Sequence, residues 1–167
     1  MLRPDRFVGR SERPVPRYLS KYPLDALRVE PSIYVDPNLY VVYLIRDPRD
    51  VVCSRHGNDP KKYWVGLKYW KVFLPVYERL RNHPRFIPLR YEDFVREPDA
   101  TQERLERSLP LQKRQHQFSE YHRHVRPSDG AKHALGNVRP ISDASVGRWK
   151  EHLPRVAGQI QMHGSLS

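Results

Sequence analysis

At 167 residues the chain has the length of a single domain, and with 38% hydrophobic residues and 16 prolines it predicts a modest core and long loops. Thirty Lys and Arg against 19 Asp and Glu give a formal charge of +11, which points to phosphorylated small molecules or polyanions as partners. Cys53 is the single cysteine, so an internal disulfide is excluded, and no run nears the roughly 18 apolar residues of a membrane helix.

In chain order, the opening MLRPDRFVGRSERPVPR has no apolar stretch of signal-peptide length and contains Asp5 and Glu12, so a soluble, cytoplasmic setting is expected. Residues 1–17, rich in Arg and Pro and without apolar periodicity, predict a flexible basic tail. YLSKYPLDALRV predicts a short strand ending near Lys21, then a helix that Pro23 helps to start. Residues 40–45, YVVYLI, read as a buried strand. The following Asp47-Pro48 pair fits an N-cap with Pro at the first helical position, opening a helix through Val51, Val52 and Ser54.

From Tyr63 onward Leu67, Trp70, Leu74, Tyr77 and Leu80 recur at steps of four and three, the stripe of a long helix that Pro75 could kink. Trp64 and Trp70 read as packing residues. RFIPLRYEDF predicts a second strand, and PDATQERLERSL a helix opened by Pro98 and Asp99. Residues 110–138 show no clean period and read as loop. They hold His116, His122, His124 and His133, but no cysteine partner or second histidine pair at helical spacing, so no metal is expected. SDASVGRWKEHL predicts a capped helix with Val146, Trp149 and Leu153 on one face. The alternation of strand and helix favours an α/β fold, a parallel sheet with flanking helices.

In such a sheet, ligands lie beyond the carboxyl ends of the strands. There the cluster Arg46-Asp47-Pro48-Arg49-Asp50 admits two readings, a solvated turn or a phosphate site. In the second, the Arg46 guanidinium grips phosphate oxygens as a fork and Ser54, eight positions on, donates a further hydrogen bond. Asp47 and Asp50 then belong to the start of the helix and not to the ligand shell.

Taken together and in this order, Lys21, IRDPRDVVCS, LRYEDFVREP and VRPISDASVGRW resemble the sulfotransferases that use 3'-phosphoadenosine 5'-phosphosulfate (PAPS), over about residues 18–153. The resemblance implies a P-loop-NTPase-like sulfotransferase fold with PAPS as co-substrate and an acceptor hydroxyl or amine as the second partner. It implies that Arg46 and Ser54 hold the 3'-phosphate. It brings Tyr91 to the adenine, although a tyrosine packed at a strand end reads equally well. Glu92 and Asp93 are expected to be structural, closing hydrogen bonds around the next turn. Arg139, ten positions before Trp149, is similar to a phosphate-contacting cation in the branch that includes tyrosylprotein sulfotransferases. Lys21 matches a lysine near the transferred group, the catalytic candidate here, or is a solvated lysine at a strand end.

Two departures from that family stand out. Its strand, Gly-rich loop and helix around the 5'-phosphosulfate find no match in residues 1–20, where RFVGRSERP is a poor substitute. Pro23 stands where cytosolic members carry a catalytic histidine, so no general base is named. The expectation is therefore a tail over 1–17 and one partial, N-terminally incomplete domain over 18–167 that transfers no sulfuryl group in isolation. A basic α/β module for RNA or another polyanion is the alternative, although the cations are scattered and not gathered in one arm or stripe. A P-loop kinase-like reading is disfavoured by the absence of any GxxxxGK[ST] segment. Acceptor identity and oligomeric state are left open.

Overall fold

The computed structural model describes residues 18–56, 59–111, 114–128 and 138–164. At its centre β1 (Val41–Ile45) and β4 (Phe86–Arg90) pair in parallel, with Val41 opposite Phe86 and Ile45 opposite Arg90. Between them run α2 (Pro48–Cys53), a hairpin of β2 (Arg55–His56) with β3 (Asp59–Tyr63), and α3 (Leu67–Leu80). Before β1 lies α1 (Val29–Val35). After β4 come α4 (Tyr91–Arg96), α5 (Pro98–Ser108), α6 (Tyr121–His124) and α7 (Leu153–His163). The α/β class, a parallel sheet with flanking helices, is as expected from the strand and helix order.

Two apolar clusters hold these layers. Ile33 of α1 and Val76 and Leu80 of α3 are buried with Phe86, and Val41, Tyr43 and Tyr77 close around them. Val52 and Cys53 of α2, Leu67 of α3 and Val156 of α7 form the second cluster, flanked by Trp70, Trp149 and Ile160. On the other face of β1, Val42 and Leu44 are 45% and 52% exposed, although Ile87 and Leu89 opposite them are buried.

Local chemistry explains where elements start and where the sequence reading needs correction. Residues 18–22 form no strand; among the described residues β1 has only β4 as its ladder partner, so that segment has no ladder to join. Pro23 opens only a 3-10 turn, Pro23–Leu27, and α1 begins afresh at Val29. One continuous helix from Pro23 would place Pro31 in its interior, whereas a start at Val29 puts Pro31 in the first turn, where its missing N–H has no bond to lose. The long helix starts at Leu67 and not at Tyr63, because Tyr63 ends β3 and Gly66 is the N-cap of α3. Pro88 sits inside β4 without breaking the ladder. Its carbonyl accepts from Arg104 at 2.9 Å, so this residue's polar edge faces away from β1.

The second strand ends at Arg90, and Tyr91-Glu92-Asp93 form the first turn of α4, where acidic side chains suit the positive end of the helix. Within the expected loop over 110–138, the described part folds into a 3-10 turn, Phe118–Glu120, and then α6. Asp99 accepts from the Ser119 N–H and hydroxyl, each at 2.8 Å, and Gln102 bonds the Phe118 N–H and the His116 carbonyl. The helix expected over SDASVGRWKEHL is instead a turn, a 3-10 segment (Arg148–His152) and then α7. Gly147 causes the break, since its φ of 77° is a left-handed conformation that ends a helix run. Leu153, expected on the buried face with Trp149, is exposed. Residues 1–17, with the expected tail, and His133 lie outside the described residues.

Gly66 and α7 are tied by one contact. The Leu67 N–H, an orphan donor at the start of α3, is satisfied by Gln159 Oε1 of α7 at 2.8 Å, and Gln159 is buried. A Cβ on residue 66 would lie 2.6 Å from that same oxygen. Gly66→Ala should therefore displace the Gln159 amide and cost about 1–2 kcal/mol in urea unfolding. In a Gln159→Ala background the same change should cost much less, because nothing is left to displace.

Tyr43 yields a second test. Its hydroxyl donates to the Phe73 carbonyl at 3.1 Å, and burial, with a smaller push from Tyr69, raises the phenol pKa to about 12. The folded state therefore favours the protonated phenol. That stability is complete below the ordinary tyrosine range near ~10 and is lost as pH rises from there toward about 12. Urea unfolding followed upward from pH ~9 should show stability falling less steeply in Tyr43→Phe than in the parent.

Candidate functional site

Parallel pairing brings the carboxyl ends of β1 and β4 together. With Ile45 opposite Arg90, the next residues, Arg46 and Tyr91, leave the sheet side by side. The Arg46 guanidinium stacks on the Tyr91 ring, 4.4 Å from its centroid. Nη1 lies 3.5 Å from Ser54 Oγ and Nη2 donates to the Ser145 carbonyl at 2.6 Å, while Nε is buried with no hydrogen-bond partner among the described residues. From the other side the Arg46 carbonyl accepts from the Trp70 indole at 3.3 Å, which fixes the backbone as it exits β1.

Helix α2 supports this arrangement. Asp47 caps it as expected, accepting the Arg49 N–H at 2.8 Å, with Pro48 at the first position. Asp47 also pairs with the Arg49 guanidinium at 2.6 Å, and Arg49 lies over the Trp149 ring at 4.0 Å. Burial alone would raise the Asp47 carboxyl, but the hydrogen bonds and charge of Arg49 outweigh it and hold the group below the usual aspartate range. Ser54 is the residue that ends α2, and its hydroxyl donates to the Asp50 carbonyl at 3.0 Å. Burial first, and then the Asp50 charge, push the neighbouring Cys53 thiol up, which keeps it a neutral packing group.

Two buried carboxylates join the elements. Glu92 accepts the Asp47 N–H at 2.8 Å and so links the start of α4 to the start of α2, a structural role, but across elements and not around the next turn as expected. Asp50, 2% exposed, accepts the N–H groups of Gly147 at 2.7 Å and Trp149 at 2.9 Å. These bonds anchor the 145–149 segment, and the Ser145 hydroxyl meets the Tyr91 hydroxyl at 2.7 Å.

Of the residues singled out from sequence, Arg46, Ser54 and Tyr91 are therefore gathered into one cluster. Lys21 is exposed just before the Pro23 turn, and Arg139 is exposed with its carbonyl accepting from the Tyr121 hydroxyl at 2.7 Å. Neither belongs to the contacts that assemble the cluster. Ser145 and Asp50 were not singled out as site residues. For Ser145 a signal existed in Gly147, which marks a turn beside it; Asp50 reads locally as an acid in the first turn of α2, and its distant partners leave no mark in the sequence.

The cluster's chemistry follows from its neighbours. Among the described residues no carboxylate pairs with Arg46; its partners are a hydroxyl, a carbonyl and an aromatic face. A half-buried cation surrounded by neutral acceptors retains its attraction for an anion, and an adjacent ring offers a flat apolar surface to a base. Among the described residues no group of three or more His, Cys, Asp and Glu is placed to hold a metal, and no helix is long and apolar enough to cross a membrane.

Comparison with known proteins adds the family. A search of curated proteins and a search of solved structures found no match to this chain. A family model described as Sulfotransferase domain matches residues 10–163, a span that takes in the two central strands, the Arg46 cluster and α7. With nearly its whole length matched, the chain belongs to the sulfotransferase domain family.

Proposed function

We propose that this chain binds PAPS and its product, 3'-phosphoadenosine 5'-phosphate, with Arg46 and Ser54 on the 3'-phosphate and Tyr91 beside the adenine. The observation that carries this reading is the Arg46 guanidinium, held at the carboxyl end of β1 with neutral partners and an Nε that has no hydrogen-bond partner among the described residues. A guanidinium forks through Nη2 together with either Nε or Nη1, so the phosphate shares Nη2, which carries two N–H groups, with the Ser145 carbonyl. The Ser54 hydroxyl, now turned to the Asp50 carbonyl, can rotate its proton to the phosphate.

In a complete site the acceptor hydroxyl or amine attacks sulfur, the bond from sulfur to the 5'-phosphate oxygen breaks, and the acceptor loses a proton. Charge grows on the departing 5'-phosphate, and Lys21 and Arg139 are the cations proposed to meet negative charge at that end. Both are exposed and thus accessible to a ligand. The acceptor class is set by loops outside the Arg46 cluster and is not specified by the fold.

Calorimetric titration of the chain with 3'-phosphoadenosine 5'-phosphate and with 5'-AMP, at one fixed salt concentration, tests the reading. The bisphosphate should bind at least about tenfold tighter, and Arg46→Ala should erase that preference, a loss of about 2 kcal/mol. Equal affinity for both nucleotides, together with steeply salt-dependent binding of RNA, would instead establish the polyanion module.

A further inference from the structure

We propose that Asp50 is a positioning residue of the phosphate site, acting through the 145–149 segment to aim the Arg46 guanidinium; the inference rests on the nucleotide reading above. Arg46 makes its shortest hydrogen bond, 2.6 Å, to a carbonyl 99 residues away in sequence. Besides Arg46 itself, the 145–149 segment is hydrogen-bonded to the Tyr91 hydroxyl, through the Ser145 side chain, and to the Asp50 carboxylate, through the backbone. Asp50 is the stronger, because it takes two N–H donors at once, Gly147 on Oδ2 and Trp149 on Oδ1.

Asp50 cannot itself be a ligand group. It is 2% exposed, both carboxylate oxygens are occupied, and a phosphate would be repelled by it. Its backbone carbonyl, however, receives the Ser54 hydroxyl. Asp50 thus touches both proposed phosphate contacts: its side chain anchors the segment that holds Arg46, and its carbonyl holds the Ser54 proton until the phosphate draws it away. The site also demands an acid. Both partners are donors, so asparagine would turn its own N–H toward one of them, and glutamate would force an extra methylene into a buried position.

The test compares 3'-phosphoadenosine 5'-phosphate with 5'-AMP on the full chain and on Asp50→Asn, after circular dichroism has shown that the variant is folded. Asp50→Asn should weaken the bisphosphate about tenfold and 5'-AMP by less than about twofold, since only the former uses Arg46. In an Arg46→Ala background Asp50→Asn should cause no further loss, because the residue it positions is gone. Equal losses for both nucleotides, additive losses in the double variant, or no change in affinity each overturn the assignment.

Should Asp50→Asn fail to fold, Gly147→Ala answers the same question. It leaves the carboxylate in place, meets open space at its Cβ, and strains the turn through the left-handed φ of 77°. The same selective loss supports the assignment, and an unselective loss or none overturns it. A parent chain that binds both nucleotides equally is seen before any variant is made; it refutes the nucleotide reading and this assignment with it.

Discussion

The whole arrangement depends on one buried charge. Placing the Asp50 carboxylate where almost no water reaches it is costly unless fixed dipoles replace the lost hydration. The Gly147 and Trp149 N–H groups supply them, and the first turn of α2 adds its own positive end. Because the requirement is mutual, the carboxylate and the turn hold each other. Ser145 cannot drift without breaking bonds to a group that has no water to fall back on.

Around that constraint the parallel register does the coarse placing. Strands that end at the same level put Arg46 and Tyr91 next to each other, and the Glu92 bond to the Asp47 N–H fixes the two following helices relative to one another. A cation that would otherwise seek a carboxylate is offered a ring, a hydroxyl and a carbonyl. Among the described residues no carboxylate pairs with it, in contrast to Arg79, whose guanidinium is paired with Glu30 at 2.7 Å.

Elements with a strong local signal were legible in the sequence. The β-branched run YVVYLI, the Asp47-Pro48 cap and the Pro98-Asp99 start each carry their own chemistry within a few residues, and each falls where expected. The proposed pairing of Arg46 with Ser54 was legible too, as a spacing across one short helix. Errors arose where a distant partner decides the outcome. No neighbouring residue announces that Gly66 must yield to Gln159, or that the turn at Gly147 is held by Asp50. Sequence periodicity saw Tyr63 and Leu67 as one stripe because it could not weigh Gly66 as a boundary. The hairpin of β2 and β3 is too short, and too rich in charge, to leave an alternating pattern.

Separation along the chain carries a further meaning. The contacts within α2, and those from α2 to Arg46, close over eight residues or fewer, so they form early and at small entropic cost. The bonds from Arg46 to Ser145 and from Asp50 to Trp149 each span 99 residues. During synthesis, the arginine emerges well before the Ser145 carbonyl that accepts its shortest hydrogen bond and before residue 149, which ties that segment to Asp50. On the proposed reading, nucleotide binding is therefore among the last properties this chain gains as it folds, and among the first it loses when the α7 end comes loose.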